Sequence, residues 1–382
     1  MYQKCNKMKS PFVFGKVAIG SSFMDREKET AALADNFCNL TNVVLISPRR
    51  WGKSSLVRKA SEVALSRDRE LRICHLDIFN VRSEEEFYEK LAEAVLRATA
   101  SRWEEMMAAA RQYLSRFSPL LSMGDSQNTV SLSLSVHPSR KSADAILDMP
   151  ERIALKKKIT LVICIDEFQQ IANFSDTDAF QAKLRSHWQL QQNVAYCLYG
   201  SRRHMMKEIF TNPKKPFYKF GHNLFLEKID RGKWPSFIMS KFNETGKTIT
   251  EDQCMQITEL TDNNPYYIQQ LCELVWNRTA KVCKDEIVKE SFTALVESLA
   301  GLNLAMTQML SVTQQNLLHA IVNGETQLTS AAVMDRYALK NSLTVQRAKQ
   351  ALVKLDIIDD FGKTVTMEDP IYAWWLRNVY FS

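Results

Sequence analysis

Residues Val43–Ser55, VVLISPRRWGKSS, set an apolar run ahead of an Arg-rich loop that closes on Gly-Lys-Ser-Ser. A buried strand delivers the chain to such a turn, whose backbone N–H groups point at a phosphate. The helix that follows adds its positive N-terminal end. In this pattern Lys53 reaches the β- and γ-phosphates and the Ser54 hydroxyl holds magnesium. The candidate nucleotide-binding positions are Ser47, Pro48, Arg49, Arg50, Trp51, Gly52, Lys53, Ser54 and Ser55. Ser47 stands where G-x-x-x-x-G-K-[ST] has its first glycine. A left-handed backbone at a non-glycine residue costs about 1–2 kcal/mol, so the loop is either slightly strained or takes another path. Trp51 reads as packing on protein rather than stacking on a base.

A second signal supports the first. The run Ile159–Ile165, ITLVICI, is apolar and β-branched, and Asp166-Glu167 follow it at once. Such a run reads as a strand buried on both faces of a parallel sheet. Its C-terminal end is where open α/β sheets hold their ligands. Asp166 is a candidate magnesium ligand through water, and Glu167 a catalytic base for an attacking water. The guanidinium groups of Arg49 and Arg50 suit phosphate contact or a neighbouring subunit. Arg202 and Arg203 are candidate arginine fingers. Plain surface exposure is the alternative for both pairs.

The 382 residues suffice for two or three domains and a sizeable core. A hydrophobic share of 45% with 24% charged residues is ordinary for a globular protein. The net charge of +7 permits nucleic-acid contact without requiring it. No run approaches a membrane span, and the N-terminus lacks the apolar centre of a signal peptide. The eight cysteines form no C-x-x-C pair and read as reduced core residues. A cytoplasmic setting without membrane partners is expected. The six histidines lack ligand spacing for a metal site.

Along the chain, the patterns predict helix Phe23–Leu40, strand Asn42–Ser47, helix Ser54–Ser66, strand Leu71–Phe79, helix Ser83–Ala100 and strand Val194–Gly200. That rhythm is α/β, a parallel sheet with helices on both faces. It assigns residues 1–222 to the core, with an insertion at about 101–143. The insertion reads as an Arg/Met/Ala-rich helix to about Phe117, then a Ser-rich stretch in which Thr129–Val136 alternates as a strand or hairpin. Residues 223–300 form a helical subdomain, with helices Trp234–Glu244, Glu251–Leu260 and Pro265–Ala280. Residues 301–382 read as helices Val312–Val322, Thr329–Tyr337 and Leu343–Leu355. A hairpin follows, Ile357–Phe361 and Thr364–Met367, turning at Gly362-Lys363. Three helices and a two-stranded wing describe a winged helix-turn-helix. Lys340, Arg347 and Lys349 are its candidate DNA contacts, although Asp356, Asp359 and Asp360 thin the charge. A protein-contact role fits the same module.

Taken together these residues resemble the archaeal-type ATPase family, a branch of the AAA+ and STAND P-loop NTPases, over most of the chain. Phe23–Glu29, FMDREKE, is similar to its F-x-x-R-E-x-E. SPRRWGKSSL is similar to G-x-R-R-x-G-K-T-S-L, and Asp166–Gln169, DEFQ, to its Walker B segment. Gly200-Ser201-Arg202 takes the sensor-1 position. Asn263-Asn264-Pro265-Tyr266-Tyr267 resembles the lid element G-N-P-Y-Y, and Glu368-Asp369-Pro370 through Trp375-Leu376-Arg377 its closing D-P…W-L-R. The resemblance implies that Arg26 lies near the adenine, that Ser201 senses the γ-phosphate, and that Pro265 packs on the base from a helical lid. The chain departs at Ser47 and Asn263, where glycine is commoner, and both changes would weaken nucleotide affinity. The implied activity is hydrolysis of ATP to ADP with Mg2+ by a nucleotide-dependent switch, slow without a partner protein or homo-oligomer. Two alternatives stand beside it: a DNA-associated ATPase whose winged helix binds DNA under nucleotide control, and a scaffold that holds nucleotide without hydrolysing it.

Overall fold

Apolar runs bounded by turns build the centre of the first of two compact units. That unit comprises Arg26–Pro48 and Lys53–Glu227, and the other comprises Met1–Asp25, Arg49–Gly52 and Lys228–Ser382. The computed structural model describes residues 9–18, 20–100, 102, 105, 118–123, 130–135, 140–361 and 364–382.

In the first unit the strands are β1 (Val43–Ile46), β2 (Leu71–Asp77), β3 (Ser118–Met123), β4 (Val130–Ser135), β5 (Thr160–Asp166), β6 (Val194–Gly200) and β7 (His222–Phe225). Five of them form one parallel sheet in the order β2-β5-β6-β1-β7. Every residue of β1 and β6 is buried, as continuous apolar runs require, whereas edge strand β7 is open to solvent at both ends. Because β6 lies between β1 and β5, its C-terminal end falls between the ends of the two strands that carry the sequence signals. The alternating run forms the strand β4, which pairs antiparallel with β3, a strand outside that run. The Arg/Met/Ala-rich helix expected before them lies outside the described residues.

The flanking helices are α1 (Glu27–Cys38), α2 (Lys53–Arg67), α3 (Glu84–Thr99), α4 (Arg140–Lys157), α5 (Thr177–Trp188) and α6 (Arg203–Thr211). Helix α1 starts four residues later than the apolar spacing predicts, because Asp25 and Arg26 both take left-handed backbone. Side chains from the sheet and from α3, α4, α5 and α6 share one apolar core, in which Trp188 stacks on Tyr196 at 3.9 Å. The sequence patterns do not predict β3, β7, α4, α5 or α6.

The second unit has its own core. It contains α7 (Trp234–Asn243), α8 (Glu251–Leu260), α9 (Pro265–Arg278), α10 (Asp285–Gln308), α11 (Val312–Val322), α12 (Ala331–Arg336), α13 (Ser342–Lys354) and α14 (Pro370–Trp375). Strands β8 (Ile358–Asp359) and β9 (Thr366–Met367) pair antiparallel as the wing. The turn at residues 362–363 lies outside the described residues. α10 runs unbroken across residue 300. No helix among the described residues is long and apolar enough to cross a membrane.

Candidate functional site

The end of β1 delivers the chain to the loop without strain at Ser47. Left-handed backbone falls instead on Arg50 (φ 65°) and Gly52 (φ 85°), and not on Ser47, whose buried hydroxyl donates to the Pro48 carbonyl at 3.0 Å. The loop therefore takes another path than one needing glycine at 47, and the cost expected there is avoided. A side chain at Gly52 would meet nothing within 4 Å among the described residues.

Lys53, Ser54, Asp166, Glu167 and Ser201 converge within the first unit. Lys53 Nζ lies 3.0 Å from Glu167 Oε1 and 3.7 Å from Asp166 Oδ1. Ser54 Oγ donates to Asp166 Oδ2 at 2.7 Å, and Ser201 Oγ donates to Glu167 Oε2 at 2.8 Å. Asp166 Oδ1 also accepts from the Glu167 amide at 2.8 Å. Glu167 itself is left-handed, φ 55°, at the sharp turn off β5. Burial raises the Asp166 carboxyl above its ordinary range, against the pull of Lys53 and Ser54. Burial pushes Glu167 up as well, but Lys53, Gln169 and Ser201 outweigh it and hold that carboxyl below its usual value.

One ammonium between two carboxylates leaves the cluster net negative, which suits a further cation. Ser54 and Asp166 offer a hydroxyl and a carboxylate oxygen, the hard donors that Mg2+ takes, and those oxygens already share one point of approach. The donor set fits the ion the sequence implied.

Arg26 is 3% exposed. Its guanidinium donates to Glu29 Oε1 at 2.8 Å and to the Glu227 carbonyl at 2.7 Å. Ser55 is buried on α2. Arg202 stands at the N-cap position of α6, with Nη1 3.8 Å from Met205 Sδ, and Arg203 opens that helix. They are the first and second residues after Ser201, the serine that touches Glu167.

Within the second unit, Arg49 Nη2 lies 3.7 Å from Asp356 Oδ2. Arg50 Nη1 donates to Tyr267 Oη at 2.7 Å and to Asp369 Oδ2 at 3.3 Å, and its guanidinium sits 4.6 Å over the Tyr266 ring. Asp369 also accepts from Tyr267 Oη and caps α14 through its other oxygen. Trp51 is half-buried. Pro265 is the first residue of α9, capped by Asn264. Lys340 and Arg347 are exposed around α13, whereas Lys349 pairs with Asp360 at 3.3 Å. Gln169, Tyr267 and Asp369 stand inside the quoted motifs, but no residue type or spacing gives them a role there. Only their contacts single them out.

Comparison with known structures fits this layout. The chain is similar to the Walker-type ATPase PABY2304 of Pyrococcus abyssi, with a TM-score of 0.68 at 17% identity, over 94% of this chain and 97% of that one. It is the fold of a P-loop NTPase. The ORC2 protein of Aeropyrum pernix, solved as ADPNP–ADP complexes, matches this P-loop fold with a TM-score of 0.53 at 13% identity, over 94% of each chain. Residues 304–378 match the family model "Probable winged helix domain", as the helix and hairpin pattern of that stretch predicts. No curated protein matches by sequence.

Proposed function

We propose that this protein binds Mg-ATP and hydrolyses it as a nucleotide-dependent switch. One observation carries the reading: the Lys53 amine, the Ser54 hydroxyl, both carboxylates and Ser201 meet within hydrogen-bond distance at the C-terminal edge of one parallel sheet. The structural likeness to a Walker-type ATPase, and the nucleotides named with the Aeropyrum protein, support it.

Lys53 and the first amides of α2 hold the phosphates, and Lys53 leaves Glu167 for the β- and γ-phosphates when they arrive. Ser54 and Asp166 hold Mg2+, which supplies charge neutralisation at the phosphates. Glu167 then takes a proton from water as its oxygen bonds to the γ-phosphorus and the bond to the departing ADP oxygen breaks. Ser201, beside Glu167, reads the γ-phosphate. The adenine-side roles of Arg26 and Pro265, the phosphate roles of the loop arginines and the finger roles of Arg202 and Arg203 belong to the same proposal.

The test is nucleotide titration with an ATPase assay of the wild type beside Lys53→Ala. The variant is expected to lose hydrolysis by at least about 100-fold, as removal of a phosphate-stabilising charge does. A wild-type rate equal to that of Lys53→Ala overturns the enzyme reading. Glu167→Gln is expected to bind ATP without turnover, and an unchanged rate in that variant favours the scaffold.

A second reading, DNA binding by the winged helix, draws on exposed Lys340 and Arg347 around α13 and the match at residues 304–378. Binding to a generic duplex that weakens steeply with salt supports it, and no binding at about 50 mM salt removes it.

A further inference from the structure

Glu167 has one contact that neither its motif nor the proposed chemistry assigns. Gln169, 3% exposed, donates from Nε2 to Glu167 Oε2 at 2.6 Å. The same oxygen accepts from Ser201, so Oε1 is left to Lys53. The Gln169 amide oxygen is fully buried and has no hydrogen-bond partner among the described residues. Turning the amide over would press that oxygen against a carboxylate, which has no proton to offer it. The side chain therefore keeps its donor on Glu167 and leaves its acceptor unmet.

Space for the unmet oxygen comes from Gly200. A Cβ built there would lie 1.8 Å from Gln169 Oε1, 3.0 Å from its Cδ and 3.0 Å from the Met206 Sδ, so the glutamine oxygen is by far the nearest obstacle. Gly200 is not among the residues with left-handed backbone, so its lack of a side chain is a matter of room and not of conformation. The residue before the γ-phosphate sensor is small because the glutamine behind the catalytic base fills the place of its side chain.

We infer that Gln169 is a positioning residue for Glu167, admitted by Gly200. With Ser201 it clamps Oε2, so that Oε1 is the oxygen presented to the attacking water once Lys53 turns to phosphate. This rests on the ATPase reading of the site.

The experiment compares wild type, Gln169→Ala, Gly200→Ala and the double variant in full-length protein. It measures kcat and KM for ATP, the affinity for a fluorescent ATP analogue, and apo thermal unfolding. Gln169→Ala is expected to lower kcat about 10- to 100-fold while KM and analogue affinity stay within about twofold, as loss of a transition-state-only contact does. Gly200→Ala is expected to lower kcat similarly, because its methyl displaces the amide. The double variant should be little worse than Gln169→Ala, since the methyl then meets only the flexible Met206 thioether. An unchanged kcat in Gln169→Ala, or kcat and affinity falling together, overturns the role.

Apo unfolding separates this from the parent reading. Gly200→Ala should lower Tm more in the wild type than in Gln169→Ala, where only the Met206 thioether is left to give way. If wild-type hydrolysis does not depend on Lys53, that non-additivity leaves the Gln169–Gly200 fit standing and sinks only the enzyme. Additive losses in Tm overturn the inference itself.

Discussion

His75 sits on β2 with a buried Nδ1 that has no hydrogen-bond partner among the described residues. Burial, followed by the nearby Arg58 charge, holds its pKa at about 4. A base with a depressed folded pKa takes up a proton more readily once unfolded. Between about pH 6.5 and pH 4 the unfolded chain therefore binds more protons, and stability falls as pH falls. Going from pH 7 to pH 5, wild type is expected to lose about 2 kcal/mol more than His75→Leu. Urea unfolding of both proteins at the two pH values checks this, and parallel losses would show that His75 titrates normally. Glu167 is half-buried, and there Lys53 at 3.0 Å, with the hydrogen bonds from Gln169 and Ser201, outweighs burial and holds its pKa below the ordinary value.

At the scale of elements, short features pin long ones. Asn42 precedes β1 and holds both of its neighbours: its side-chain oxygen accepts from the Tyr196 amide at 2.9 Å, and its carbonyl accepts from the His222 amide at 2.8 Å. Gly221 passes so close that a Cβ there would lie 2.4 Å from the Asn42 carbonyl oxygen, a backbone atom that cannot swing aside. Gly221→Ala is expected to cost about 1–3 kcal/mol and to raise amide exchange at His222–Phe225 ahead of the rest of the sheet. Unchanged protection at β7 would show that the edge strand tolerates the shift. Asn263 works in the same way beyond the end of α8. It occupies the left-handed region at φ 59°, where asparagine is the usual substitute for glycine. Its side chain accepts from Trp234 Nε1 and donates to the Ile229 carbonyl, both at 2.6 Å. The departure from glycine at 263 thus has a structural use, tying the start of α7 to the turn before α9.

On the scale of the whole molecule, ligand binding to a folded site adds stability by mass action. Mg-ATP at 100 times its Kd is expected to raise unfolding free energy by about 2.7 kcal/mol. The gain should vanish in Lys53→Ala, in a thermal-shift titration of the full chain. An equal shift in both proteins would mean that nucleotide binds elsewhere or without the lysine.

Much of the layout was legible in the chain. β6 and α8 fall on the residues that periodicity marks, and β1, α2, α3 and α9 lie within a few residues of it. The three helices and the wing of the terminal module do too. The omissions have physical causes. β7 is only four residues long and half-open, so it lacks the continuous apolar run of a central strand. α4 carries Pro150 in its interior, a residue that ordinarily ends a helix. In the site, Lys53, Ser54, Asp166 and Glu167 announce themselves by chemistry at a fixed distance from a strand end. Gln169 does not, because a buried glutamine after a strand has no signature until its partner is known.

Composition and local pattern by themselves determined the class of strand, the loop chemistry and the terminal three-helix module, since apolar spacing and Gly-Lys-Ser-Ser act over a few neighbouring residues. Only the tertiary structure decided that β6 would lie between β1 and β5 and bring Ser201 to Glu167, and that Gly200 would leave room for Gln169. Strand order and close packing join residues more than thirty positions apart, and no local preference of the chain encodes which of them will meet.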